Sequence, residues 1–119
     1  MCASGKAFTR AQRLTNGSEF SRVFAGAERS SDRFFTVLAQ INDVNRARLG
    51  LAISRRVARR AIDRNRIRRL ARESFRQLDL VPADFVVMAR RDAVAAEKPA
   101  LRSSLDRHFA RLSERVGRS

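Results

Sequence analysis

The hydrophobic patterning of this chain predicts a two-layer α/β (α+β) sandwich, with a three- to four-stranded mixed sheet and about three helices packed on it. Three observations carry that expectation. Two segments, "DRFFTVLAQIND" at 32–43 and "ARLGLAIS" at 47–54, change face at every residue, and "VPADFVVMARR" at 81–91 follows as a third strand after a Pro-containing turn. Two others, 67–78 and 101–116, repeat apolar residues every three to four positions. Strands and helices are thus interleaved within 119 residues, a length that suits one domain with one modest core. No linker or internal repeat divides the chain, so 1–119 reads as a single domain.

Each element has its own local signature. Residues 1–14 are small, polar and basic, and are expected to form a flexible arm. In "LTNGSEFSRVFAGAERSS", Thr15, Asn16 or Ser18 can cap a short helix. Phe20, Val23, Phe24 and Ala27 form its stripe, and Gly26 stands near its end. A weak strand signal follows at 28–31. In the first long strand Phe35, Val37, Ala39 and Ile41 share one face; Phe34, Thr36, Leu38 and Gln40 share the other. "NDVN" is a turn. The second strand puts Leu49, Leu51 and Ile53 on one face and Gly50, Ala52 and Ser54 on the other.

The central helix is read from Ile67, Leu70, Ala71, Ser74, Phe75 and Leu78, which fall on one stripe. Ile62 lies off that stripe, so the helix is expected to begin near Asp63 as its N-cap, after a basic lead-in at 55–62. The last helix places Leu101, Leu105, Phe109, Leu112 and Val116 inward. Pro99 opens it, with Lys98, poor capping chemistry, at the N-cap.

Composition narrows the function. The chain carries 26 basic and 12 acidic residues, a net charge of +14, and 24 of the 26 are arginine. Such an excess repels itself in a folded protein and suits a polyanionic partner, nucleic acid first. Cys2, the one cysteine, allows neither an intramolecular disulfide nor a multi-cysteine zinc site. The opening residues lack a signal-peptide core, and no apolar run approaches the ~20 residues needed to span a bilayer. No membrane partner is expected, and the cytoplasm is the expected compartment.

The arginines are concentrated. Ten of the 22 residues from Arg55 to Arg76 are arginine. Arg64–Arg68, Arg68–Arg72 and Arg72–Arg76 are i,i+4 like-charge pairs, each mildly destabilising, and only Arg69–Glu73 and Glu73–Arg76 relieve them. With Arg55, Arg56, Arg59 and Arg60 leading in, the segment is loaded for a partner rather than for its own stability. Guanidinium groups grip phosphate oxygens bidentately and stack on bases. There is no zinc-finger spacing and no heptad after the basic stretch, and the partly aromatic sheet face resembles platforms that hold single strands.

A protein nuclease needs a nucleophile with a base, or a metal cluster. His108, the sole histidine, sits beside the last helix's stripe and is expected to be structural. The carboxylates are scattered, no Gly-rich phosphate loop occurs, and Cys2 is expected to be inert. No catalytic residue and no metal ligand is assigned to the protein.

The segment "LAISRRVARRAIDRNRIRRLARESFRQL" resembles the signature of the bacterial ribonuclease P protein component, R-N-R-x-[KR]-R-[LI]-x-R-[EQ]-x-F. The match falls on Arg64, Asn65, Arg66, Arg68, Arg69, Leu70, Arg72, Glu73 and Phe75. "LTNGSEFSRVF", "RLGLAIS" and "DFVVMAR" are similar to the family's flanking elements, so the likeness covers about residues 13–113. It implies a fold like ribosomal protein S5 domain 2, with a left-handed β-α-β crossover against the usual right-handed rule. It implies an auxiliary subunit of a ribonucleoprotein endoribonuclease that removes the 5′ leader of precursor tRNA. Catalysis then belongs to the RNA subunit, which holds most of the Mg2+, and no protein partner is required.

By the same resemblance Arg64, Asn65, Arg66, Arg68, Arg69 and Arg72 face RNA. Phe20, Phe24, Thr36 and Leu38, with Phe34, line a cleft for the single-stranded leader. Some relatives carry a tyrosine in that cleft; this chain has none, and Leu38 is the equivalent. The alternative function is a non-catalytic module that binds structured RNA, ribosomal or chaperone-like.

Overall fold

The computed structural model describes residues 27–42 and 45–117. The expected arm and the expected leading helix, with Phe20 and Phe24, lie outside the described residues. Seven elements follow in order: β1 (Glu28–Ser31), β2 (Phe35–Ile41), β3 (Arg48–Ala52), α1 (Ala61–Gln77), β4 (Ala83–Ala89), α2 (Asp92–Ala95) and α3 (Lys98–Gly117). The strands form one sheet in the order β1-β2-β4-β3. β2 is antiparallel to both β1 and β4, while β3 and β4 are parallel. The sheet is therefore mixed, and α1 is the crossover that parallel neighbours require.

Local chemistry sets the turns. Asp32 Oδ1 accepts the N–H groups of Phe34 and Phe35 at 2.8 and 2.9 Å, a carboxylate turn that reverses the chain between β1 and β2. Between β2 and β3, Asn45 takes a φ of 61°, the left-handed region that asparagine tolerates better than most residues. Asn42 Nδ2 donates to the Arg46 carbonyl at 2.9 Å in the same turn.

One core lies between the sheet and the two long helices. Phe35, Val37 and Ala39 of β2, Leu49 of β3, and Phe85 and Val87 of β4 meet Ile67, Leu70 and Phe75 of α1 and the stripe of α3. Phe75, Phe85 and Phe109, one from each of α1, β4 and α3, meet edge to face with centroids 5.6–5.9 Å apart. Each such pair contributes about 0.5–1.5 kcal/mol beyond burial. The reverse face holds a smaller cluster, Leu38 against Val86 with Ala27, Ala52 and Met88 around it. Beside it, Arg48 and Asp84 form a buried two-bond ion pair at 2.7 and 2.9 Å.

Several boundaries differ from the sequence reading. α1 begins at Ala61, with Arg60 as its N-cap and no side-chain cap. Asp63 is not the cap. It lies in the first turn, where its charge meets the positive helix end, and accepts from Arg60 Nε at 3.1 Å. Ile62 stays off the apolar stripe because it points outward, 69% exposed. In α3 the Leu101 N–H donates to the Glu97 carbonyl at 3.1 Å, so the cap is Glu97 rather than Lys98, and Pro99 sits in the first turn where it forfeits no bond. Ile41 ends its strand 47% exposed rather than joining the core. α2 is too short to leave a periodic signal. The weak strand at 28–31 is present as β1.

Candidate nucleic-acid interface

The approach to α1 is built by a turn after β3. Ser54 accepts the Ala58 N–H on its carbonyl at 3.1 Å, and its Oγ lies 3.3 Å from the Val57 N–H. Ala58 is buried and Val57 packs on the core, which leaves Arg55, Arg56, Arg59 and Arg60 exposed. Arg64 is turned inward to this segment and donates to the carbonyls of Ala58 and Arg59, both at 3.0 Å. One arginine of the row thus fixes the backbone that presents the others.

Along α1 the buried residues are Ile67, Leu70, Ala71, Ser74 and Phe75. A helix with that inner stripe sends Asn65, Arg69, Arg72 and Arg76 to the far side. Asn65 and Arg69 are exposed; Arg68, Arg72 and Arg76 are half-buried. Asn65 Oδ1 accepts from Arg68 Nη1 at 3.2 Å, which orders the outer surface. The acid expected to relieve the row does not do so: Glu73 turns to Arg102 of α3 at 3.8 Å. Arg69 is left with no acid at ion-pair distance among the described residues.

Arg66 is placed differently from its neighbours. Its Nη2 donates to the Val94 carbonyl at 2.8 Å and both terminal nitrogens lie 3.4 Å from the Ala96 carbonyl. These carbonyls close α2, where no helical partner exists for them. Arg66 therefore ties α1 to α2 through both of its terminal nitrogens.

The residues expected to form the leader cleft are not all brought together. Thr36 and Leu38 lie on the reverse face of the sheet, both buried, with Thr36 Oγ1 2.8 Å from Ser31 Oγ. Phe34 is not with them. It precedes the first residue of β2, in the Asp32 turn, so strand alternation does not apply to it, and it packs against the helical core instead. Sequence reasoning also passed over Arg33, Arg90 and Arg91, which strand pairing gathers at one end of the sheet; no local pattern marks them.

His108 is structural by its contacts. Its Nδ1 lies 2.7 Å from Ser30 Oγ and its Nε2 3.2 Å from Asp32 Oδ2, the latter too poorly aligned to count as a hydrogen bond. Ser104 Oγ donates to the same carboxylate at 2.5 Å. Serine, histidine and aspartate in a row suggest a nucleophile, but Ser30 and His108 are both buried, so no substrate reaches them. The group staples β1 and its turn to α3. Burial of Asp32 alone would raise its pKa, but hydrogen bonds from Ser104 and the Phe35 and Phe34 amides, with His108 close by, outweigh it and hold the carboxyl at about 2. Burial pushes His108 below its ordinary value, more than the neighbouring Asp32 raises it. Among the described residues no three His, Cys, Asp or Glu side chains gather to hold a metal ion. No helix among them is long and apolar enough to cross a membrane.

Fold and surface define a class: a small α+β protein with a four-stranded mixed sheet, whose crossover helix carries arginine on its outward side. The model of the family described as Ribonuclease P matches residues 8–113. The ribonuclease P protein component of Thioalkalivibrio sulfidiphilus is 48% identical over 113 residues, covering 93% of this chain and 94% of the relative. That of Methylococcus capsulatus is 47% identical, covering 97% and 91%. The solved RNase P protein of Staphylococcus aureus superposes with a TM-score of 0.80 at 26% identity, covering 87% of this chain and 99% of that one. The chain belongs to the ribonuclease P protein component family, associated with the tRNA-processing ribonucleoprotein ribonuclease P.

Proposed function

We propose that this protein is the auxiliary subunit of a ribonucleoprotein endoribonuclease that binds a catalytic RNA and helps it remove the 5′ leader of precursor tRNA. One observation carries the reading: in a chain of this family, exposed and half-buried guanidiniums run from the lead-in to α1 along its outer side, and Glu73, the acid within that row, is turned away from them. Arg55, Arg56, Arg59, Arg68, Arg69 and Arg72 are the gripping groups, with Asn65 between them. Arg60 shares Asp63, while Arg64 and Arg66 position the surface through the backbone bonds they already make.

The protein's part is electrostatic. Replacing counterions around folded RNA with fixed guanidiniums favours compact, substrate-bound RNA and makes binding steeply salt-dependent. In this reading the RNA would hold most of the Mg2+, which would supply an activated water and stabilise the leaving oxygen. Thr36 and Leu38 keep only 6% and 8% of their surface exposed, which limits their part toward the leader to van der Waals contact at an edge rather than stacking.

The test is reconstitution with the matching catalytic RNA at low magnesium, following cleavage of precursor tRNA. Stimulation of cleavage and tighter binding of precursor than of mature tRNA are expected. RNA binding without either effect would favour a general RNA-binding module.

A further inference from the structure

A neighbouring helix diverts the one acid that stands inside the arginine row of α1. Glu73 has Arg69 four residues before it and Arg76 three residues after it. Those spacings bring opposite charges together on a helix surface, where they pair. Glu73 meets Arg102 of α3 instead, its Oε1 lying 3.8 Å from Nη1. Among the described residues it makes no ion pair with Arg69 or Arg76. Glu73 and Arg102 are both half-buried, so solvent and salt screen this pair less than one on the open surface.

Arg102 is itself held in place. Its Nε donates to Asp106 Oδ1 at 3.1 Å, one turn further along α3. The same carboxylate oxygen accepts the hydroxyl of Ser74, a fully buried residue of the α1 stripe. Asp106 thus orients the guanidinium and ties it to the helix that carries Glu73. An arginine held by one carboxylate while it reaches a second has little freedom to turn elsewhere.

The helical period separates two sides of α1. Arg66 and Glu73, seven residues apart, share the flank that faces α2 and α3. Asn65, Arg69 and Arg76 lie further round, on the outer side. A released Glu73 swings toward that outer side. There it shares the guanidinium of Arg69, and it sets a negative charge beside any arriving phosphate. Both effects oppose a polyanion.

We propose that Arg102 is a positioning residue for RNA binding: it holds Glu73 against α3 and so keeps Arg69 unshared for phosphate. The proposal rests on the RNA-binding reading above. It gives Arg102 no contact with RNA; the residue acts through Glu73 alone. Removing Arg102 and removing Glu73 are therefore not independent changes, and a double-mutant cycle reads their coupling.

The experiment titrates the matching catalytic RNA with the full chain carrying R102M, E73Q, R102M/E73Q or R102K, with R69A as comparator. Circular dichroism checks folding, and R102Q replaces R102M if the latter does not fold. R102M should weaken binding about two- to fivefold, the range of one exposed ion pair. E73Q alone should match wild type, because its charge is already held. R102M/E73Q should return to wild type, and R102K, which keeps a cation near Glu73, should stay there. Three results overturn the proposal: R102M at wild-type affinity, R102M/E73Q as weak as R102M, or R102K as weak as R102M. A fourth does so too, E73Q tightening binding by one factor in both backgrounds, since that is plain addition of charges. Any of these with R69A weakened overturns Arg102's role and leaves the α1 surface in place. R69A at wild-type affinity overturns the α1 surface, and the role of Arg102 with it.

Discussion

Arg66 donates through Nη2 to the backbone carbonyl of Val94 at 2.8 Å, so an arginine of the basic signature is spent on holding two helices together. Neighbouring Arg69, three residues on and outward, makes no such bond. Residues that look equivalent in a basic run therefore divide into those that build the surface and those that present charge.

Arg66→Ala should destabilise the fold by about 1.5–3 kcal/mol, the range for hydrogen bonds to charged groups. The two α2 carbonyls lose their donor and the 94–96 segment loosens. Urea denaturation measures this; a midpoint equal to wild type would mean the bonds contribute nothing.

Arg69→Ala should leave stability unchanged or slightly raised, because like-charge crowding on α1 falls. Its affinity for the catalytic RNA should drop by about 1–3 kcal/mol, roughly five- to 150-fold, through loss of a charge-assisted bond. Binding titrations beside denaturation curves separate the two effects, and a variant that unfolds easily yet binds normally would contradict the assignment.

The Asp32–His108 staple should make stability fall with acid. The folded His108 pKa lies below the ordinary 6.5, so the unfolded chain takes up the proton more readily. That contribution is complete above about pH 6.5 and is lost as pH falls below it. Asp32, held at about 2 against 3.8, adds stability that is present above 3.8 and fades as pH drops toward 2. The melting temperature should thus decline from pH 7 downward, and His108→Gln should flatten the upper part of that decline. A wild-type curve level between pH 7 and 5 would count against it.

The buried Arg48–Asp84 pair makes an opposite kind of demand. Asp84→Ala leaves a guanidinium buried without its partner and should cost about 3–5 kcal/mol. Arg48→Met combined with Asp84→Leu should recover most of that loss, because no charge then remains in the interior. Calorimetry on the two variants beside the wild type checks it; equal losses in the single and double variants would show that packing, not charge, sets the cost.

The periodic patterns of β2, β3, β4, α1 and α3 were legible because each is a local consequence of burying one face, and residues two or three to four apart must share it. The charge of α1 was legible for the same reason: its like-charge pairs are near in sequence. The sequence by itself determined these elements, the core stripe from Ile67 to Phe75, and an outward arginine surface. Only the tertiary structure decided that Arg64 and Arg66 turn to backbone carbonyls, that Glu73 leaves its own helix for Arg102, that Phe34 departs from Thr36 and Leu38, and that Arg33 joins Arg90 and Arg91. Each of these depends on strand pairing or on two helices meeting, contacts between residues far apart in the chain, and no periodicity along one segment can encode where another segment will lie.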